Sequence, residues 1–233
     1  MFSPLIVSKV LIALLETLNL LLISSLISIP IGFIFGLIIT LNKKGNIFIK
    51  ILSGFISIIR SIPFILIMIL ITPISYYLFK TSIGYLPSII SLSIIGISTF
   101  TRLVEQTLID LNPFIYDLAY ILNATKIKLV TNFILVEARS SLILAITNTL
   151  VSLLAYSTVL YIIGGGGLGY TAIQVGYYSP VGKNIMWLSV IVMILLVQVI
   201  QITGNLLAKK LNKKEVTQWK KLLIYLSFCY LFY

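Results

Sequence analysis

Apolar residues run through this chain in stretches longer than a soluble core needs, and charge interrupts them only at wide intervals. An α-helix rises about 1.5 Å per residue, so about 20 apolar residues cross a hydrocarbon layer of about 30 Å. Five stretches qualify. The first lies within Val10–Asn42, too long for one crossing and too short for two; its core is placed at about 19–41, with Glu16 near one surface. The second is expected at about 61–79, opening at Arg60-Ser61-Ile62-Pro63, where a proline near the helix start loses little by lacking an N–H. The others are expected at about 83–101, 140–163 and 185–208. The N-terminal run is too long for a signal peptide, no small-residue cleavage site follows, and Glu16 interrupts it, so it reads as a retained first span. Leu222–Tyr233 is apolar for only 12 residues, too few to cross. With Trp219 at headgroup level it reads as an interfacial helix or a poorly ordered extension.

The longest polar interval, 102–139, carries a pattern of its own. Phe114, Ile115, Leu118, Ile121 and Leu122 form the apolar face of a short amphipathic helix. Asn123-Ala124-Thr125 then breaks the pattern: Asn123 tolerates the left-handed conformation that ends helices, and Thr125 can cap the next one. Ile127, Val130, Phe133 and Ile134 resume the stripe. The expected result is a helix–turn–helix against the membrane surface, either resting on headgroups or docking a partner.

Composition agrees with a chain that uses lipid as solvent. Of 233 residues 59% are hydrophobic and 10% charged, against about 45–50% and about 25% in soluble domains. Mean hydropathy is +1.12. The net charge of +11 marks membrane surfaces rather than nucleic acid, because its distribution is one-sided. With the N-terminus outside, 14 of the 17 Lys and Arg fall inside, leaving Lys9, Lys80 and Lys183 outside. The expected fold is therefore an all-α membrane protein with five spans, N-out and C-in, and a cytoplasmic helix pair between spans three and four.

Candidate chemistry is sparse. There is no histidine and one cysteine, Cys229, which excludes disulfide frameworks, His-ligated metals and His general bases. No metal or cofactor is expected. No G-x-x-x-x-G-K-[ST] occurs, so the chain cannot cradle nucleotide phosphates in that way. Gly164, Gly166 and Gly169 match G-x-G-x-x-G, but follow an apolar helix rather than a strand, so they read as a flexible turn whose missing side chains let backbone pack closely. Asn123-Ala124-Thr125 matches a glycosylation sequon but lies on the inner side. A membrane enzyme would need paired carboxylates or a lysine inside a span, and neither is present. An ion-coupled carrier usually places ionisable groups at mid-membrane. Glu16, Glu105, Asp110, Asp117 and Glu137 all fall at span ends or in loops. Coupling through backbone carbonyls stays open, as does a small assembly protein. Arg60 and Glu105, near inner span ends, either bridge or are solvated separately.

Asp117-Leu118-Ala119, six residues before Asn123-Ala124-Thr125, resembles the cytoplasmic loop signature of binding-protein-dependent ABC importer permeases. Further segments resemble the methionine-import branch: Glu16-Thr17-Leu18, Arg60-Ser61-Ile62-Pro63-Phe64-Ile65, Thr81-Ser82-Ile83-Gly84, Arg102-Leu103-Val104-Glu105, Tyr156-Ser157 and Gly164-Gly165-Gly166-Gly167-Leu168-Gly169. They keep family order over roughly residues 10–214. The loop departs from the signature: its Glu is Asp117, its Ala is Leu118, its Gly is Asn123, and the later Pro falls at Val136. Leu118 adds bulk that a partner's groove must accept.

The resemblance implies a permease domain over 1–214, with 215–233 as an extension. It implies a bacterial cytoplasmic (inner) membrane protein that imports an amino acid, methionine foremost, by alternating access. Another small solute (a different amino acid, a phosphonate or an osmolyte) or an ion-coupled carrier are the alternatives. The implied partners are a cytoplasmic ATPase that supplies the hydrolysis, an external substrate-binding lipoprotein, a second copy of the chain and membrane lipid. Asp117, Leu118, Ala119, Leu122, Asn123, Ala124 and Thr125 would couple to the ATPase. Gly164, Gly165, Gly166, Gly167 and Gly169 would form a pathway or gate turn. No sequence feature identifies the side chains that touch substrate.

Overall fold

The computed structural model describes residues 4–42, 46–179 and 182–212, and every regular element among them is helical. The tail expected at the interface, 215–233, lies outside the described residues. Helix α1, Pro4–Leu41, has 38 residues, or about 57 Å at 1.5 Å per residue. It begins well before the expected span and is almost twice as long as the about 30 Å hydrocarbon layer is thick. Asn46 caps α2, Ile47–Ser61, its side chain accepting from the Phe48 amide at 3.0 Å. Pro63 disfavours helical conformation at Ile62, which is extended at φ −82° and ψ 126°, so α2 stops and α3, Phe64–Phe79, departs at 108°. The apolar stretch expected as the second span thus becomes α3, whose 16 residues are fewer than the about 20 a straight crossing needs, and an unanticipated helix precedes it nearly at right angles.

Helix α4, Tyr85–Ile109, runs eight residues past the expected end at 101. Two things let it continue. Arg102 and Glu105 neutralise one another as an ion pair one turn apart, and Val104 and Leu108 are fully buried. The Arg60–Glu105 bridge left open by the sequence does not form: Arg60 ends α2 exposed, and Glu105 is held by Arg102.

After α5, Pro113–Ile121, the chain turns into a single helical run, Lys126–Ile163. It opens as the short α6, Lys126–Lys128, and loosens to π geometry over Leu129–Ile134. It then becomes α7, Leu135–Ser157, and tightens to 3₁₀ over Thr158–Ile163. The expected second surface helix is therefore the foot of the fourth span. Its stripe does not lie flat, because Ile134 and Ala138 are fully buried against α4. Beyond the glycine turn come α8, Gly167–Tyr170, a π-helical stretch Thr171–Tyr177, and α9, Lys183–Leu211.

What holds α1 to α4 is smallness. Ser24, Ser28, Gly32 and Gly36 recur every four residues along one face of α1, as interfaces in lipid favour. A Cβ on Gly36 would lie 2.6 Å from Val104, and one on Gly96 of α4 2.4 Å from the Ser28 hydroxyl, so the backbones nearly touch. Ser28 Oγ donates to Ser24 O at 2.6 Å and lies 3.2 Å from Ser93 O. Gly204 of α9 meets Thr147 of α7 as closely. One core, around Leu20, Met68, Leu92 and Leu160, fills one half of the bundle; a second, around Phe100, Val104, Leu108 and Ile134, fills the other.

Candidate functional site

At one end of the bundle stands α5. Asn112 caps it, its side chain accepting from the Phe114 amide at 3.0 Å, with Pro113 in the first turn. The Tyr116 hydroxyl donates to the Leu108 carbonyl at 2.9 Å and ties α5 to the end of α4. Burial pushes the Tyr116 phenol up, so it remains a neutral donor at physiological pH. Asn123 ends the helix at φ 51°, while the Ala124 amide reaches back to Ala119 O at 2.9 Å. Thr125 Oγ1 accepts from the Lys128 amide at 3.4 Å. Both turn assignments made from sequence are thus present.

The stripe is only half packed. Ala119 is buried, and Ile115, Tyr116 and Leu118 are half-buried. Phe114 (62%), Ile121 (74%) and Leu122 (62%) are exposed, as are Asp117 and Tyr120. One face of α5 grips the bundle, and the other offers apolar side chains around a carboxylate.

The glycine turn stands at the opposite end, where the Gly84 amide donates to Ile163 O at 2.7 Å. Gly164, Gly166 and Gly167 have φ of 68°, 76° and 79°, which side chains rarely adopt. The turn is clamped rather than loose. Glu16 Oε2 accepts from the Gly167 amide at 2.7 Å, and Thr17 Oγ1 accepts from the Leu168 amide at 2.8 Å. Two successive residues of α1 therefore satisfy the first amides of α8, which no helical carbonyl can reach. Ser88 lies where a Gly165 Cβ would project, and a Gly169 Cβ would meet Thr158 backbone at 2.5 Å. The five glycines are brought together; the Asp117–Thr125 group is brought together separately, at the far end.

A groove of about 450 Å³ between α7 and α9 was not anticipated. Its walls are Leu154, Ala155, Val190, Met193 and Val197, with Thr158 and Gln198 as the polar side chains. Through Thr158 it adjoins the glycine turn. Nothing in periodicity marks it, because both helices are apolar nearly all round.

Known proteins resemble this chain in both sequence and fold. A family described as "Binding-protein-dependent transport system inner membrane component" matches residues 28–215. The chain is 34% identical over 205 residues to the "Probable D-methionine transport system permease protein MetI" of Pasteurella multocida (strain Pm70), covering 86% of this chain and 94% of that one. It is 29% identical over 173 residues to the "Methionine import system permease protein MetP" of Bacillus subtilis (strain 168), covering 74% and 76%. A solved inward-facing structure of the MetNI methionine ABC transporter superposes with a TM-score of 0.85 at 26% identity, over 91% of this chain and all of the other.

Proposed function

This chain belongs to the family of inner membrane components of binding-protein-dependent transport systems, and from that premise we propose that it is the permease subunit of a methionine importer. ATP hydrolysis belongs to a separate subunit, and the chain works in the bacterial inner membrane as a multi-pass protein. Its permease domain is taken as 1–214, oriented N-out and C-in, with two copies forming the pathway. An external binding lipoprotein delivers the substrate.

The observation that carries the mechanism is the exposed half of α5. Phe114, Ile121 and Leu122 cost free energy when left in water, and Asp117 beside them argues against immersion in lipid. A protein groove satisfies both. Asp117, Leu118, Ala119, Leu122 and the Asn123-Ala124-Thr125 turn then form the coupling element. Because Tyr116 bonds α5 to the end of α4 and packs on the core that α4 shares with Ile134 and Ala138, closing the ATPase subunits moves those spans with it. Alternating access needs no covalent step. The apolar groove between α7 and α9 suits a thioether side chain, Thr158 and Gln198 offer the polar contacts, and the clamped glycine turn at its end serves as the gate.

The test is reconstitution of the chain with its ATPase in proteoliposomes. ATP-dependent uptake of labelled methionine is expected, competed by unlabelled methionine and not by other amino acids. Competition by a different solute alone would reassign the substrate. Ile121→Asp should weaken ATPase association about tenfold or more and depress uptake while insertion is unchanged, since losing one apolar anchor costs about 1–2 kcal/mol or more. Unchanged association would remove α5 from the coupling role.

A further inference from the structure

The cavity where α1, α2 and α4 meet takes no part in these steps. It measures about 500 Å³, within the roughly 300–1,000 Å³ of small-molecule sites. Three elements line it with polar groups: Thr40 and Asn42 from the end of α1, Lys50 and Ser53 from α2, and Glu105 from α4. Thr40 Oγ1 is buried without a hydrogen-bond partner, which is costly unless something else supplies one. Lys50 has no carboxylate partner among the described residues. Glu105 Oε2 accepts from Arg102, which leaves its other oxygen able to accept. An unpaired ammonium, a donor hydroxyl and a carboxylate with a spare oxygen therefore face one space. They complement a zwitterion that has an anionic end and a primary ammonium.

A free amino acid and a phospholipid headgroup share that chemistry, and α2 discriminates between them. Ile47, Phe48, Ile51, Phe55 and Ile58 point outward along one side of α2, each at least 59% exposed. The 108° bend from α3 lays α2 along the membrane surface when α3 crosses it. The apolar strip then reaches acyl chains while Lys50 stays at headgroup level. A soluble amino acid has no use for such a strip beside its site; two acyl chains do. We propose that this cavity binds the headgroup of a phospholipid with a primary ammonium, such as phosphatidylethanolamine, its phosphate on Lys50 and Thr40, its ammonium on Glu105, and its acyl chains along α2. The site does not depend on which solute the permease carries.

The transporter, permease with ATPase, is stripped of lipid in detergent and titrated with short-chain phosphatidylethanolamine, phosphatidylcholine or phosphatidylglycerol, and bound lipid is counted by native mass spectrometry. Phosphatidylethanolamine should bind about tenfold more tightly than phosphatidylcholine, whose quaternary ammonium cannot donate to Glu105. Lys50→Gln and Glu105→Gln should each erase the preference, and Lys50→Arg should keep it, at an unchanged unfolding midpoint. Equal binding of all three lipids, insensitive to these substitutions, overturns the proposal. So does phosphatidylglycerol matching phosphatidylethanolamine, which reduces the site to a basic surface. Displacement by free methionine would make the cavity an amino-acid site. Disulfide formation between copies carrying Ile51→Cys, with Cys229→Ser, would place a second permease on the strip instead of lipid.

Discussion

Glu16 and Thr17 show how much a single turn of helix can hold. Their side chains satisfy the Gly167 and Leu168 amides across 151 residues of sequence, where water is scarce and an unmet donor costs about 1–3 kcal/mol. Glu16→Ala should therefore lower the thermal midpoint of the detergent-solubilised transporter and depress uptake, while Glu16→Gln, which keeps an acceptor, should lose much less. Equal losses from both would mean that charge, not the hydrogen bond, is what matters. Gly167→Ala should be worse than either, since φ of 79° is strained for any side chain and its Cβ would sit 2.6 Å from Thr17 Oγ1. The conformations of these residues were legible in advance, because they are local: Gly and Asn123 are the types that adopt positive φ. Their partners were not. No spacing rule connects Glu16 with Gly167, and the sequence could say only that backbone packs closely there.

Elements were legible where one physical signal dominated. Hydropathy located the apolar helices, four long enough to cross alone and a fifth candidate in the bent pair of α2 and α3, because a long apolar helix satisfies its own backbone in lipid. It misjudged segments whose polarity is cancelled locally, such as the end of α4 with its Arg102–Glu105 pair. It also passed over α2, whose apolar strip at Ile47, Ile51, Phe55 and Ile58 follows helical spacing but is too short to cross. The four-residue ladder of Ser24, Ser28, Gly32 and Gly36 was visible too, but in a hydropathy reading small residues are merely weak members of a span. Their effect is steric. Gly36→Leu places bulk against Val104, and overpacking of this kind costs about 1–3 kcal/mol. Gly54, on α2, has nothing within 4 Å of its would-be Cβ. Thermal unfolding should therefore show a clear loss for Gly36→Leu and none for Gly54→Leu. Equal midpoints would mean that α1 and α4 are not held together by close approach.

The whole molecule sorts its charges between two ends, and this decides what α5 can meet. Lys9, Lys80 and Lys183 lie at the end that holds the glycine turn, where Val10 and Leu168 pack with Ile185. Lys50, Arg60, Arg102, Lys126, Lys128, Arg139, Lys209 and Lys210 lie toward the end that holds α5, where Ser140 donates to Ala208 O at 2.9 Å. Basic residues near span ends remain on the cytoplasmic side, so the basic end should be inside. Ile127 is 76% exposed near α5 and Tyr178 is 63% exposed beyond the glycine turn, so each can be replaced by cysteine, with Cys229→Ser, at little cost to packing. In intact cells a membrane-impermeant maleimide should label Tyr178→Cys and spare Ile127→Cys until the membrane is permeabilised. The opposite pattern would put α5 outside, beyond the reach of any cytoplasmic ATPase, and would leave its exposed apolar face to some other partner.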